Sequence, residues 1–333
     1  MTSPLKFLMP GWFSLVMGLS GLSLAWLAAA PVLGDAATGA GLVLGGLAAL
    51  LFALLAGLSL WRWQRFPEAL AEDLQHPVRH AFVATVPVSL LLLPTVGLAL
   101  GLPAEAVRPV WWVGSLLQLW VTWWVLGRWL APASGPAGSA WPAVTPVLFI
   151  AVVGNVVAPL AGVGLGHAHW SAAQLGIGVL FWPLVLGLAL VRRFAHGPLP
   201  DRLLPTWFIA VAPPSVIGLS LLALGAPTAL VLGCWGVAAF TAAWVASQAR
   251  RMVAQPFALT FWALSFPLAA FSSLTLKLGQ QANLEGWSSA GVLLLALTSL
   301  VICGLLLGTV RGLRQGTLLA PEPVATIVPQ AAT

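Results

Sequence analysis

Phe257-Ala258-Leu259-Thr260-Phe261-Trp262-Ala263-Leu264-Ser265-Phe266-Pro267-Leu268-Ala269-Ala270-Phe271-Ser272-Ser273-Leu274-Thr275-Leu276 is an uncharged run with a single proline at its middle. As a helix it reaches about 30 Å, the thickness of a bilayer's hydrocarbon core. A proline inside a helix removes one backbone N–H and bends the axis. Lipid cannot satisfy the carbonyl that is freed, so a helix of this kind belongs inside a bundle rather than against acyl chains.

Working outward, nine further runs qualify: Trp12–Ala30, Ala40–Leu60, Ala81–Leu100, Val110–Leu130, Ala143–Leu165, Ala173–Val191, Leu204–Leu224, Thr228–Ser247 and Ser288–Val310. Hydrophobic residues make up 60% of the 333, charged ones 7%, and mean hydropathy is +0.98. A soluble domain carries about a quarter charged residues. The chain reads as an all-α, polytopic membrane protein with ten transmembrane helices.

The prolines sort these helices into two classes. Pro87 lies in the third span, Pro146 and Pro159 in the fifth, Pro213 and Pro214 in the seventh and Pro267 in the ninth. Among the even spans, Pro109 and Pro227 fall at helix starts and Pro183 is the interior exception. With short loops the chain is a string of five helical hairpins. The expectation is a ring of proline-kinked odd helices around a central pore, with the even helices outside facing lipid. A role for the same prolines in packing alone is the competing reading.

Orientation follows the basic residues. Lys6, Arg62, Arg65, Arg79, Arg128, Arg192, Arg193, Arg202, Arg250, Arg251, Arg311 and Arg314 share one side of a ten-span chain, and Arg108 and Lys277 lie on the other. Short basic loops stay inside, so both termini are expected to be cytoplasmic, as in a bacterial inner-membrane protein. The net charge of +6 comes from this bias, and no basic stretch is long enough for a nucleic-acid groove. Residues 1–310 form one transmembrane domain. Residues 311–333 read as a disordered cytoplasmic tail, and Arg62 to His80 as a short interfacial helix. Lys6 and the apolar run after it are read as a first helix rather than a cleaved leader, the run being too long for one. Many of the eighteen tryptophans, such as Trp61, Trp63, Trp111, Trp112, Trp129 and Trp141, lie near span ends, as interfacial belts do.

Enzyme chemistry finds little to stand on. Asp35, Glu68, Glu72, Asp73, Glu105, Asp201, Glu285 and Glu322 all fall in loops, at interfaces or in the tail, as do the five histidines. An intramembrane carboxylate is the usual element of coupled carriers, so passive movement is favoured. Gly18-Leu19-Ser20-Gly21 lacks a histidine at membrane depth, and its glycines are assigned to packing or to the pore lining. His167-x-His169 lacks further ligands, and neither a metal nor a cofactor is expected. Asn155 either bonds a carbonyl freed near Pro159 or lines the path. Lys277 either snorkels or draws anions to the outer mouth.

Together, Pro10-Gly11-Trp12-Phe13…Gly18-Leu19…Leu24-Ala25-Trp26, His76-Pro77-Val78-Arg79, Val153-Gly154-Asn155…Pro159, Thr206…Ala212-Pro213-Pro214 and Phe261-Trp262-Ala263-Leu264-Ser265-Phe266-Pro267 resemble the tellurite-resistance/dicarboxylate transporter family. That family includes the slow anion channels of plant guard cells, fungal sulfite and malate transporters and a bacterial tellurite-resistance protein. The resemblance covers Pro10 to Arg311. It implies ten helices as five hairpins, a pore in each protomer of a homotrimer, and a mid-membrane phenylalanine gate at Phe266. Several relatives carry a proline in the first helix where Val16 stands here, which leaves the pore radius near Phe13 open.

The resulting expectation is an anion channel or transporter passing chloride- or nitrate-like, dicarboxylate or sulfite-like anions. Its pore-lining or kink positions are Phe13, Gly18, Pro87, Gly154, Asn155, Pro159, Thr206, Pro213, Pro214, Ser265 and Pro267. The alternative is a proton-coupled exporter of dicarboxylate, sulfite or tellurite, and a different class altogether is a non-transporting membrane receptor or scaffold.

Overall fold

The computed structural model describes residues 3–130, 141–281 and 286–320. Among them the long elements are all helices: α1 (Pro10–Leu33), α2 (Asp35–Arg65), α3 (Pro67–Gln75), α4 (Arg79–Ala99), α5 (Ala104–Leu130), α6 (Phe149–Gly162), α7 (Ala168–Ala195), α8 (Asp201–Ala223), α9 (Thr228–Ala246), α10 (Ala249–Val253), α11 (Leu259–Gln281) and α12 (Trp287–Arg314). Nine of these are long and apolar enough to cross a membrane, and α6 is a shorter apolar segment. The last helix runs on to Arg314. The expected tail beyond residue 320, with Glu322, lies outside the described residues, as does Glu285.

Two populations of helix separate by burial. The most apolar stretches of α1, α4, α8 and α11 are 67%, 72%, 72% and 78% buried, against 22% to 39% for α2, α5, α7, α9 and α12. Contacts give the arrangement. α1 packs on α4, α4 on α6, α6 on α8, α8 on α11, and α11 returns to α1, closing a ring of five. Each outer helix lies against the ring member before it in the chain and also touches the next one: α2 on α1 and α4, α5 on α4 and α6, α7 on α6 and α8, α9 on α8 and α11, α12 on α11 and α1. Gly34 alone joins α1 to α2, with φ at +67°, a conformation that a side chain would strain.

The prolines occupy a repeated place. α1, α4, α8 and α11 each begin in tighter 3₁₀ geometry and become α-helical at Ser14, Thr85, Ala212 and Ser265. Pro87, Pro214 and Pro267 are each the third residue of the α-helical stretch, and Val16 holds that place in α1. The first-turn N–H groups of an α-helix have no partner four residues back, so a missing N–H costs little there.

The fifth span departs from the expected helix over Ala143–Leu165. It breaks into a π-helical turn at Phe149–Val153, a 3₁₀ turn at Gly154–Val157 and one α turn from Pro159. Pro146 and Pro159 supply no N–H, so the carbonyls along this stretch need other donors. Neighbouring side chains provide them. Gln118 Nε2 donates to the carbonyls of Ile150 and Ala151 at 3.3 and 3.0 Å, and Thr122 Oγ1 to Ala151 at 2.8 Å. Trp111 Nε1 donates to Ala158 at 3.0 Å and Ser220 Oγ to Val156 at 2.8 Å.

Candidate functional site: a divided cavity inside the helix ring

Two cavities lie inside the ring of five. The first, of about 50 Å³, is lined by Ser14 and Met17 of α1, Val88 of α4, Phe149, Ile150, Val153, Gly154, Val156 and Val157 of α6, Ile209, Ala212, Pro213 and Val216 of α8, and Trp262, Ala263, Phe266 and Pro267 of α11. The second, of about 290 Å³, is lined by Gly21, Leu24, Leu27 and Ala28 of α1, Thr95 and Ala99 of α4, Leu160 of α6, Val216, Leu219, Leu222 and Ala223 of α8, and Phe266, Ala270, Ser273, Lys277 and Gln281 of α11. On every ring segment the wall of the first cavity precedes that of the second along the chain. The two are therefore strung along one axis. Phe266 and Val216 belong to both walls, and Phe266 is 8% exposed.

The seat of the Phe266 ring is made by a glycine. A Cβ at Gly21 would stand 3.0 Å from Phe266 Cδ2 and 3.1 Å from Ala269 Cβ. Gly18, one turn earlier, lies against Ser265 and Trp262 so closely that a Cβ there would overlap the serine side chain. α11 thus approaches α1 over two glycines, a close packing that small residues permit in membranes.

Of the residues singled out in the sequence, Phe266, Pro267, Pro213 and Gly154 line the first cavity, and Phe266 and Lys277 line the second. Gly18, Pro87, Pro159, Pro214, Thr206 and Ser265 are buried in neither wall. Thr206 donates to the Leu203 carbonyl and Ser265 Oγ to the Trp262 carbonyl at 2.7 Å. Phe13 turns to α2, where its ring meets that of Phe52 edge-on at 5.5 Å. Asn155 faces away from the cavities. Its Nδ2 donates to Thr122 Oγ1 at 2.8 Å and the Val152 carbonyl at 3.2 Å, and its Oδ1 accepts from Gln174 Nε2 at 3.0 Å.

Several contributors had a sequence signal of a kind. Gln118 and Gln174 are amides in otherwise apolar spans, the pattern of a buried network. Ser14 and Val216 had none, because one serine or valine among many carries no mark of the direction it faces.

Electrostatically the two cavities differ. Lys277 brings a cation to the wall of the second, while among the described residues no charged side chain lines the first. Among the described residues neither wall holds a carboxylate. The fully buried acid, Asp73, sits at the basic end of the molecule instead, paired with Arg62 at 2.7 Å and Arg79 at 2.8 Å. Arg62 also donates to the Lys6 and Ala69 carbonyls at 3.0 and 3.1 Å, tying the N-terminal segment and α3 to α2. Beside this cluster His76 Nδ1 accepts from the backbone N–H groups of Val78 and Arg79, both at 3.1 Å. Burial, with Arg79 adding to it, pushes the His76 imidazole below its ordinary value near 6.5.

Comparison with known proteins bears on what such a cavity does. A family model described as SLAC1, voltage-dependent anion channel, matches residues 8–310. The S-type anion channels SLAH2 and SLAH3 of Arabidopsis thaliana are 25% and 26% identical over 66% and 74% of this chain, which spans 41% and 38% of their length. An uncharacterized transporter of Methanocaldococcus jannaschii is 27% identical over 80% of this chain and 82% of its own.

Proposed function

The chain belongs to the SLAC1 family, and from that premise we propose that it moves small anions through the axis of its helix ring, with Phe266 as the gate. Ten crossing segments form five hairpins in this reading, α6 being the fifth, and the two cavities are halves of one pore. The observation that carries it is the place of Phe266 in the wall of both cavities. An aromatic ring across a narrow apolar passage excludes water, and a constriction of this sort closes by dewetting. Displacing the ring joins the halves.

Both termini and the basic end face the cytoplasm in this proposal, so the positive field there concentrates anions at the inner mouth. A negative-inside potential then drives a monovalent anion outward by about 2.3 kcal/mol per 100 mV. The absence of carboxylates from the described walls supports passive movement over proton-coupled export of dicarboxylate, sulfite or tellurite. The volume of the first cavity supports chloride- or nitrate-sized anions. We extend the proposal to a homotrimer with one pore per subunit, on the family resemblance. Native mass measurement in detergent tests that part, and stable monomers or dimers refute it.

The gate is tested with Phe266→Ala in proteoliposomes. Anion flux rises well above wild type while thermal stability falls little, because the ring borders space on two sides. A core phenylalanine would instead cost about 3–5 kcal/mol on truncation. A variant that is strongly destabilised and no leakier than wild type returns Phe266 to the core.

A further inference from the structure

α6 supplies more residues to the wall of the first cavity than any other ring segment, among them Phe149, Ile150, Val153 and Gly154. Its backbone is also the least regular. The other four segments are α-helical from Ser14, Thr85, Ala212 and Ser265 onward, at the level of this cavity. α6 becomes α-helical only at Pro159, beyond its last residue on the cavity, Val157. Before that it passes through a π turn, a rare geometry found mostly at functional sites.

What holds this stretch lies behind it, on the outer helix α5. Gln118 is wholly buried, and its Nε2 donates to the Ile150 and Ala151 carbonyls at 3.3 and 3.0 Å. Thr122, one turn on, shares its hydroxyl proton between the carbonyls of Gln118 and Ala151 at 2.9 and 2.8 Å, and accepts from Asn155 Nδ2 at 2.8 Å. Gln118 Oε1 has no partner among the described residues. A buried amide with half of its polar capacity unmet is costly, so packing alone is a poor reason for a glutamine here. Its donors are the better one. The approach is close as well: a Cβ on Gly154 would stand 2.8 Å from Gln118 Nε2 and 3.1 Å from Cγ2 of Val88, another residue of the cavity wall.

We propose that Gln118 and Thr122 are positioning residues for permeation: from outside the cavity they hold the α6 wall back and so set the size of anion that passes. This rests on the conduction reading above and adds to it the residues that fix the bore. α5 stands outside the ring, so the pull on the Ile150 and Ala151 carbonyls is directed away from the axis. With the donors removed, those carbonyls lose their partners, and less opposes collapse of the wall into the small void it borders. The bore then narrows, and a bulky anion is excluded before a small one.

The test measures reversal potentials in bilayers for methanesulfonate against chloride, two anions of one charge and different size. Each variant is combined with Phe266→Ala so that the ring does not limit passage, and Phe266→Ala alone is the reference. Gln118→Leu lowers the methanesulfonate-to-chloride permeability ratio about three- to tenfold, the worth of about one net hydrogen bond. Thr122→Val lowers it too, and decides the matter if Gln118→Leu fails to fold or to conduct. Thr122→Ser, which keeps the hydroxyl, keeps the ratio of the reference. Gly291→Ala also keeps it, although its Cβ would stand 2.7 Å from Leu276 and so overpacks the α11–α12 contact. A ratio unchanged or raised in both Gln118→Leu and Thr122→Val overturns the assignment and leaves anion conduction standing. An equal fall in Gly291→Ala does the same, since instability alone would then move the ratio. Absence of anion flux from every protein, wild type included, refutes the conduction reading, and this assignment with it.

Discussion

A methyl group on Gly21 would stand 3.0 Å from Cδ2 of Phe266, closer than the two can rest without one of them moving. The glycine and the ring thus fit each other across the α1–α11 contact. Gly21→Ala is expected to destabilise the protein by about 1–3 kcal/mol, the usual cost of overpacking. In a Phe266→Ala background part of that cost disappears. Thermal unfolding of both single variants and the double checks this, and strictly additive losses would place the strain elsewhere.

Lys277 is the cation on the wall of the larger cavity. Lys277→Gln is expected to lower anion flux by about two- to fivefold at low ionic strength, through loss of local attraction. At about 1 M salt, where screening acts within about 3 Å, the variant and wild type converge. A deficit that persists at high salt would assign Lys277 a direct or structural role.

Asp73 is wholly buried between Arg62 and Arg79, and the Arg62 side chain is itself only 5% exposed. Asp73→Asn leaves a buried guanidinium uncompensated and is expected to cost about 3–5 kcal/mol. The double variant Arg62→Met, Asp73→Leu removes both charges and falls nearer to wild type than the single does. Chemical or thermal denaturation in detergent decides between them.

His76 gives a pH dependence whose sign is set by its lowered affinity for protons. Its folded value lies below the ordinary value near 6.5, and Nδ1 must be unprotonated to accept from Val78 and Arg79. The unfolded chain therefore binds the proton more readily. The contribution of His76 is complete above about pH 6.5 and is lost as pH falls from there through the folded value. His76→Ala is expected to flatten the decline in melting temperature between about pH 7.5 and 5.5. An unaltered slope would shift the effect to other groups.

Much of the architecture was legible in the chain. The apolar runs mark the crossing segments, and nine of them appear as long helices with bounds displaced by a few residues. The proline positions proved legible in a different sense from the one expected. Pro87, Pro214 and Pro267 all mark the first turn of an α-helical stretch, where 3₁₀ geometry ends. The fifth span reads in sequence as a helix kinked at Pro146 and Pro159, whereas its backbone breaks into π, 3₁₀ and α turns. Nothing in Phe149–Val157 taken alone shows that its carbonyls find donors on Gln118, Thr122 and Ser220.

What the sequence determined by itself was the solvent, the helical class and the distribution of basic residues. These follow from summed hydrophobicity and charge, which need no neighbour to be read. Only the tertiary structure decided direction: that Asn155 turns outward to Thr122 and Gln174, that Phe13 packs on Phe52, and that Phe266 borders both cavities. In a soluble helix the polar face and the apolar face announce which side is inside. Here lipid and protein interior are both apolar, so a helix can turn about its axis with little change in composition facing either. The rotation is fixed instead by which glycine lets a neighbour approach and which side chain reaches a freed carbonyl, and those are properties of pairs of helices.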